Sequence, residues 1–310
     1  MKIRIGILGL GGVGGFIGAQ LAEHYKNSDE LDIVFIARPT TAKILRENGL
    51  KLSIAEKEKI VFPSVIASSP EQVGDLDILI SCTKSYDLEE SLKPLSESIS
   101  EKTLILPLLN GVDATRRIQS IYPQAQVAEG CIYIVSRIME PGFVKVAGDK
   151  HALHFGSSVV EKDKLENLQM MLKDSGINAM LSEQIDLIVW EKFLFISAIA
   201  SMTSYLNQPM GKILEHQESK HMLMQLMHEF IEVALAHAIP FGADIFERTL
   251  TKMESLPYDT TSSMYNDFKK GGKTEYRSLT EFVVNLGTQL KIETPTYETI
   301  LKDLKQRDRF

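Results

Sequence analysis

Residues 2–14 read KIRIGILGLGGVG, an apolar run that leads into a cluster of glycines. This pattern predicts a strand over Lys2–Leu8, a tight turn, and a helix from about Val13 to Tyr25. A G-x-G-x-x-G pattern is formed by Gly9, Leu10, Gly11, Gly12, Val13 and Gly14. Between a strand and a helix, such glycines permit the turn, the approach of a pyrophosphate to the backbone, and close helix–strand packing. The free N–H groups of the helix start attract phosphate, so the segment predicts a dinucleotide site.

The same N-terminal segment has a second interpretation, because a short basic start before an apolar run is also typical of a secretory signal peptide. Its many glycines make a poor signal helix, and no small-x-small cleavage site precedes a polar stretch. We therefore favour the dinucleotide turn. No other run reaches the roughly 18 apolar residues needed to span a bilayer, and we expect no membrane partner.

The overall composition is typical of a folded globular chain. Of 310 residues, 44% are hydrophobic and 24% charged, with a formal net charge of -7. This length suits two domains, and the negative charge argues against nucleic acid as a partner. Cys82 and Cys131 are the only cysteines, so we expect no disulfide framework and a cytoplasmic location. The histidines lack ligand spacing, so we expect no metal site.

Strand and helix patterns alternate in the first half of the chain, which predicts βαβ units in a parallel sheet with helices on both faces. Further strands are predicted over Ile33–Ile36, Ile78–Ser81, Thr103–Leu106 and Val127–Val135. Helices are predicted over Thr41–Asn48, Tyr86–Ile99 and Ala114–Ile121. We expect Phe143–Val146 and Ala152–Phe155 to pair as a closing hairpin.

Helical patterns dominate the second half of the chain. They cover Ile185–Leu206, Glu218–Ala238, Asp244–Glu254, Glu275–Leu290 and Thr296–Lys305. We therefore predict an α/β fold with an N-terminal Rossmann-type parallel sheet domain, residues 1–180, followed by an all-helical domain, residues 181–310, with the boundary near Ser175–Gln184. A candidate packing face, and a candidate homodimer interface, consists of Met222, Leu223, Met224, Leu226 and Met227.

The end of the second predicted strand indicates which dinucleotide binds. An NAD site normally has Asp or Glu there to bind the ribose 2′-hydroxyl, whereas this strand ends Ile36-Ala37-Arg38. The planar guanidinium of Arg38 suits a 2′-phosphate, and Lys43 lies one turn further on. We therefore favour NADPH, the alternative being an exposed loop arginine without a ligand.

Lys192 stands in a strongly apolar helical segment. Its neighbours at three and four residues' distance are Ile188, Val189, Phe195 and Ile196. Burying an ammonium group is costly unless it is paired, and burial lowers its pKa, which suits a proton donor. The alternative is a lysine whose stem is buried and whose amine reaches water. The pattern alone leaves both open.

A run of hydroxyl residues, Thr260–Ser263, falls at a predicted helix start and suits either a carboxylate ligand or ordinary capping. Further along, Thr274 is a candidate cap for the next helix, with Glu275 in its first turn.

The order and spacing of these motifs resemble those of the ketopantoate reductase family over nearly the whole chain. The matching positions are the glycine turn, Arg38, Ser81-Cys82-Thr83-Lys84, Leu109-Asn110-Gly111, Pro141-Gly142, Trp190-Glu191-Lys192, Ser262-Ser263-Met264, Asp267 and Thr274-Glu275. The resemblance implies NADPH-dependent reduction of the 2-keto acid 2-dehydropantoate to pantoate, in pantothenate and coenzyme A biosynthesis.

The resemblance also implies roles for individual residues. Lys192 corresponds to the general acid, Glu275 to the carboxylate that supports it, and Asn110 to a residue that contacts both that lysine and the nicotinamide side of the site. Lys84 corresponds to a lysine near the cofactor. Ser263 corresponds to the serine that contacts the substrate carboxylate.

Three positions depart from the family pattern. Ile196, Ala200 and Thr260 stand where the family usually has asparagines. Ser197, Ser201 and Thr203 are candidate replacements whose direction the sequence leaves open. Three functions therefore remain: reduction of ketopantoate, the same chemistry on a more apolar 2-keto acid, since the fold also supports mandelate-type dehydrogenases, or a non-catalytic NADP-binding regulator.

Overall fold

A computed structural model of the chain describes residues 2–308. The chain divides into two compact units. The sheet unit comprises the chain up to Leu109 together with Asp113–Ile185, and the helical unit comprises Asn110–Val112 together with the chain from Asp186. The short segment Asn110–Val112 therefore leaves the sheet unit, and Val112 packs against the helical core.

The sheet unit is built from short strands joined by helices and turns. Its strands are β1 (Ile3–Leu8), β2 (Leu31–Ile36), β3 (Leu50–Ile54), β4 (Lys57–Val61), β5 (Val65–Ala67), β6 (Ile78–Ser81), β7 (Leu104–Pro107), β8 (Gln126–Val127), β9 (Glu129–Tyr133), β10 (Ser136–Glu140), β11 (Phe143–Val146), β12 (Ala152–Gly156) and β13 (Ala179–Leu181). Its helices are α1 (Gly12–His24), α2 (Pro39–Asn48), α3 (Leu88–Leu92), α4 (Ala114–Ile121) and α5 (Lys162–Asp174).

The central sheet has six parallel strands in the order β5-β2-β1-β6-β7-β8. From β1 the chain first builds β2 and β5 on one side, and then β6, β7 and β8 on the other. The connections therefore reverse between β1 and β6, and ligands of such sheets bind beyond the carboxyl ends of the strands at that reversal. The predicted parallel sheet is confirmed.

Alternating side chains bury both faces of this sheet. Ile33 and Phe35 of β2 contribute to one buried cluster, whereas Val34 between them belongs to another. In the same way Ile78 and Ile80 of β6 lie in the first cluster and Leu79 in the second. Successive strand residues point to opposite faces, so these nearly continuous apolar runs are those of a sheet covered on both sides.

The predicted closing hairpin is wrong. Phe143–Val146 (β11) pairs antiparallel with β10 and parallel with β3, in a four-stranded sheet ordered β10-β11-β3-β4. Ala152–Gly156 (β12) instead lies between β9 and β13 in a separate three-stranded sheet. Both runs are strands, but each pairs with at least one strand that is distant along the chain, and local sequence spacing does not reveal such pairing.

Two other predicted elements are divided. The Val127–Val135 run changes sheets at Ala128, so that β8 closes the parallel sheet and β9 pairs with β12. The predicted helix over Tyr86–Ile99 is a short α3 flanked by 3-10 turns at Ser85–Asp87 and Lys93–Leu95. Pro94 removes a backbone donor there, which ends the α-helical ladder.

The helical unit contains long helices, as predicted. They are α6 (Ile185–Leu206), α7 (Met210–Glu215), α8 (Gln217–Ala236), α9 (Ile245–Glu254), α10 (Ser263–Lys269), α11 (Phe282–Leu290) and α12 (Pro295–Arg307). A π-helical segment, Arg277–Glu281, directly precedes α11. Sheet unit and helical unit together confirm the predicted α/β fold class. Within residues 2–308 no helix combines the length and apolarity required to cross a bilayer.

Aromatic packing fixes the orientation of α6 in the helical core. The rings of Trp190 and Phe193 lie 5.9 Å apart and both contact Phe230 of α8 and Phe282 of α11. Lys192 is two residues from Trp190, about 200° around the helix, so this packing turns it away from the aromatic core.

The predicted methionine face of α8 is largely interior. Leu223, Leu226 and Met227 are fully buried in the core of the helical unit, whereas Met222 is half-buried and packs against that core. These side chains serve folding of the unit itself. A homodimer through the helical unit stays a prediction.

Candidate active site

The glycine turn combines two closely packed positions with one open position. Gly9 has φ +88°, and a Cβ there would meet the backbone of Cys82 and Thr83 at 2.9 Å. A Cβ on Gly14 would overlap the carbonyl oxygen of Gly9. At Gly11, by contrast, a Cβ would meet no described atom within 4 Å beyond its chain neighbours. Two glycines are therefore needed for packing, and the third leaves open space beside the N-terminus of α1, where a phosphate is favoured.

The segment after β6 lies beside this turn. Cys82 N donates to Leu8 O at 2.8 Å, which joins the carboxyl ends of β1 and β6. The hydroxyl oxygens of Ser81 and Thr83 are buried and lack a hydrogen-bond partner among residues 2–308. Buried hydroxyls normally have a partner, so this edge has unused polar capacity for a ligand. The residues present fit a bound dinucleotide.

Cys82 and Lys84 also belong to this segment after β6. Burial raises the pKa of the Cys82 thiol, so it stays protonated at neutral pH and is a poor nucleophile. Lys84 is half-buried and precedes a 3-10 turn at Ser85–Asp87. Its assignment to the cofactor stays a prediction.

Arg38 directly follows β2, is largely exposed, and has an ionic partner that the sequence did not indicate. Its Nη2 donates to Asp87 Oδ2 at 2.7 Å. No acid directly follows the end of β2 in the sequence; Asp87 comes from the segment after β6, 49 positions further along the chain. The two residues meet because they follow different strands, β2 and β6, of the same sheet.

Lys192 lies on α6 and is buried, with a residue exposure of 8%. Its Nζ donates to Asn110 Oδ1 at 3.4 Å, a long hydrogen bond within the helical unit. Along the helix it is flanked by buried Val189 and half-buried Ile196. Of the two interpretations, the buried amine is correct and the amine in bulk water is not. The contact between Lys192 and Asn110 was predicted from the family resemblance alone, because no local sequence pattern connects residues 82 positions apart.

Glu275 is buried and lies just before the π-helical segment Arg277–Glu281. Its backbone oxygen accepts from Ser278 N and Leu279 N, both at 3.0 Å, so Glu275 precedes the first turn and does not lie within it. The predicted capping role of Thr274 is wrong, since its buried hydroxyl has no partner among the described residues. π-helical turns occur often at functional sites, and this one is adjacent to Glu275.

The hydroxyl run does begin a helix, and Ser262 is its cap. Ser262 Oγ accepts from Tyr265 N at 2.9 Å and also contacts Thr203 Oγ1 at 2.9 Å. Ser263, the next residue, is exposed as the first residue of α10. Thr203 of α6 therefore fixes the start of the helix that presents Ser263. A contact of Ser263 with a carboxylate stays a prediction.

Three α6 hydroxyls considered as replacements for the missing asparagines are bonded inside the helical unit. Ser197 Oγ donates to Leu279 O at 2.6 Å and contacts Tyr297 Oη at 2.8 Å. Ser201 Oγ contacts Thr280 Oγ1 at 2.8 Å. All three hydroxyl residues, including Thr203, are fully buried. Their bonding holds the π-helical segment and α10 against α6, so they do not replace the amide groups.

No cluster of three or more His, Cys, Asp or Glu side chains within residues 2–308 has the arrangement to hold a metal ion.

Two family models match this chain. Ketopantoate reductase PanE/ApbA matches residues 5–159, and its C-terminal counterpart matches residues 184–308. A protein of Bacillus subtilis (strain 168) named uncharacterized oxidoreductase YkpB is 27% identical over 300 residues, covering 96% of this chain and 97% of that protein.

Solved structures also resemble this chain over nearly its whole length. The 2-dehydropantoate 2-reductase of Porphyromonas gingivalis W83 is 30% identical with a TM-score of 0.86, covering 98% of this chain and 100% of that one. The fold is also that of a D-mandelate dehydrogenase whose ternary structure contains NADH and anilino(oxo)acetate. That match has a TM-score of 0.88 and 20% identity, and it covers 99% of this chain and 98% of that one. The family models span most of the sequence, and the resemblance drawn from its motifs is confirmed. The chain belongs to the ketopantoate reductase family of oxidoreductases.

Proposed function

We propose that the chain is an NADPH-dependent 2-keto acid reductase that converts 2-dehydropantoate to pantoate, with Lys192 as the general acid. The observation that carries the proposal is the burial of Lys192 on α6, with its Nζ donating to Asn110 Oδ1. Burying an ammonium group costs several kcal/mol unless it is paired, so a buried lysine has to be held by other groups. The cost is explained if the amine acts on a substrate.

The reaction requires a positive, proton-donating group at one oxygen. When bound, the reduced nicotinamide supplies a hydride to the keto carbon. Negative charge then develops on the keto oxygen, and the Lys192 ammonium stabilises it and donates a proton. Water reprotonates the amine afterwards. Asn110 holds the amine in place through its side-chain oxygen, and buried Glu275 provides the countercharge that makes a buried ammonium tolerable.

The remaining site residues hold the ligands. The turn Gly9–Gly14 would bind the pyrophosphate through the N-terminus of α1. Arg38 would bind the 2′-phosphate with its planar donor groups, and Lys84 would lie at the cofactor. Ser263, at the start of α10, would bind the substrate carboxylate. Pantothenate and coenzyme A biosynthesis in the cytoplasm is the corresponding pathway.

A second substrate class has a specific observation in its favour. Ile196 and Ala200 take the place of amide side chains on α6, and the nearby hydroxyls of Ser197, Ser201 and Thr203 already have buried partners. A site without such donors loses its discrimination for a substrate hydroxyl. A bulkier, more apolar 2-keto acid, such as phenylglyoxylate, is therefore the alternative substrate.

One assay distinguishes these functions. The full chain is mixed with NADPH and either 2-dehydropantoate or phenylglyoxylate, and oxidation of NADPH is followed by absorbance. Preference for 2-dehydropantoate supports the first proposal, and preference for phenylglyoxylate supports the second. NADPH binding without turnover of either acid, or of a wider panel of 2-keto acids, contradicts both and indicates a non-catalytic NADP-binding regulator.

A further inference from the structure

The ion pair between Arg38 and Asp87 joins two groups with opposite preferences for a dinucleotide. Arg38 Nη2 lies 2.7 Å from Asp87 Oδ2, with side-chain exposures of 79% for the arginine and 17% for the aspartate. The arginine follows β2, and the aspartate ends the 3-10 turn Ser85–Asp87 after β6. The guanidinium is therefore largely exposed, whereas the carboxylate is largely enclosed.

The turn that carries Asp87 is anchored on its far side. Asp87 N donates to Lys84 O at 3.0 Å. Arg117 of α4 donates to Ser85 O at 2.6 Å and forms two hydrogen bonds with the Glu89 carboxylate, at 2.6 and 2.7 Å. The hydrogen bond from Arg117 lowers the pKa of Glu89, so the pair stays ionised well below neutral pH. These contacts hold the Asp87 backbone in place.

The position of this carboxylate has a chemical consequence for cofactor choice. Beyond the second strand of such sheets, an acid accepts a hydrogen bond from the ribose 2′-hydroxyl of NAD, and an arginine binds the 2′-phosphate of NADP. Here both groups are present at one place. A carboxylate repels a phosphate dianion and occupies one of the arginine's donors. It would, however, accept from a 2′-hydroxyl.

We propose that Asp87 is a specificity-determining residue that weakens binding of the 2′-phosphorylated dinucleotide and strengthens binding of the 2′-hydroxyl form, so that this chain uses both NADPH and NADH. The proposal rests on the assignment of Arg38 to the 2′ position in the proposed function. It goes beyond that assignment because it gives Asp87, which follows β6 and not β2, a direct part in selecting between the two dinucleotides.

Binding of cofactor fragments tests the proposal without turnover. Isothermal titration of the full chain with adenosine 2′,5′-bisphosphate and with adenosine 5′-monophosphate measures the two affinities separately. Asp87→Asn keeps the shape of the side chain and removes its charge. We expect the bisphosphate to bind at least about fivefold tighter, from the loss of like-charge repulsion, and the monophosphate to bind more weakly. An unchanged ratio of the two affinities overturns the proposal.

Asp32→Asn is the matched control. Asp32 also pairs with an arginine, at 3.4 Å from Arg4 Nη1, and has a similar exposure of 21%. It lies at the start of β2, the end opposite to Arg38. We expect this variant to leave the affinity ratio unchanged. An equal shift in both variants overturns the proposal, since overall charge would then explain the effect.

Two further measurements make the outcome decisive. Thermal melting establishes that each variant is folded, and Asp87→Ser, a shorter neutral residue, must shift the ratio in the same direction as Asp87→Asn. If the wild-type chain binds neither fragment, the nucleotide assignment fails and the Asp87 proposal fails with it. If the fragments bind and the ratio shifts as expected, but no 2-keto acid is reduced, the catalytic proposal alone fails.

Discussion

Lys192 is the residue on which the proposed chemistry depends. Its apolar neighbours along the sequence indicated an unusual lysine, and the structure buries it on α6, whose orientation is fixed by the aromatic packing of Trp190 and Phe193. The choice between a buried and a solvated amine depended on tertiary contacts, which helical spacing does not contain. The same applies to Asp87, whose relation to Arg38 arises only when β2 and β6 are placed in one sheet.

Replacement of Arg38 tests the assignment of the phosphate-binding group. In Arg38→Ala we expect the dissociation constant for NADPH to rise about 10–100-fold, the value of a lost charged hydrogen bond. That for NADH should change little, because NADH carries no 2′-phosphate. Titration of cofactor fluorescence measures both constants. Equal weakening of the two dinucleotides would refute the role of Arg38 at the 2′-phosphate.

Ile196 tests which keto acid the site prefers. It is half-buried, one helical turn after Lys192 on α6. In Ile196→Asn we expect kcat/KM for 2-dehydropantoate to rise relative to that for phenylglyoxylate, since an amide restores a partner for a substrate hydroxyl. Steady-state rates with both acids provide the ratio. A fall in this ratio contradicts the view that apolar residues at this position shape specificity.

At the scale of elements, the sequence predicted most strands and helices but few of their partners. The elements missed were β3, β4, β5, β10, β13, α5 and α7. In β3 and β4 the outward side chains break the apolar pattern, and each strand is only five residues long. The proposed hairpin failed because β11 and β12 are adjacent in sequence yet pair in different sheets. The strand, turn and helix around the glycines were predicted well, since Gly9 adopts a positive φ that favours glycine and Gly14 has no room for a Cβ.

Two alanine substitutions in this turn separate folding from binding. A Cβ on Gly14 would overlap Gly9 O, so Gly14→Ala should lower both the melting temperature and NADPH affinity. A Cβ on Gly11 meets open space, so Gly11→Ala should keep the melting temperature and still weaken NADPH by blocking close approach of the pyrophosphate. Calorimetry and fluorescence titration measure the two quantities. Unweakened NADPH binding in Gly11→Ala would remove the turn as the phosphate site.

Helix α12 is capped by an acid from a different helix. The carboxylate of Glu229 in α8 accepts from Thr296 N at 2.8 Å and Tyr297 N at 3.0 Å. Glu229→Gln removes the charge and leaves one buried donor unpaired, so the free energy of unfolding should fall by about 1–2 kcal/mol. Glu232→Gln, at an exposed position of the same helix, is the control and should change it by less than about 0.5 kcal/mol. Equal effects in a denaturant titration would contradict the capping role.

At the scale of the whole molecule, the family resemblance and the two-unit organisation were accessible from the order of the motifs. That Asn110–Val112 belongs to the helical unit could not be predicted, because this segment follows a strand of the sheet unit. Within that unit, Asn110 accepts a hydrogen bond from Lys192. The homodimer stays a prediction, and sedimentation velocity of the full chain tests it.

Replacement of Lys192 is the most direct test of the proposed chemistry. In Lys192→Ala we predict that kcat for the preferred 2-keto acid falls about 10²–10⁴-fold, the contribution of a positioned general acid, while the dissociation constant for NADPH stays close to that of the wild type. Lys212→Ala, at an exposed position of α7, should retain full kcat. A Lys192→Ala protein that binds NADPH and turns over at nearly the wild-type rate would contradict the account.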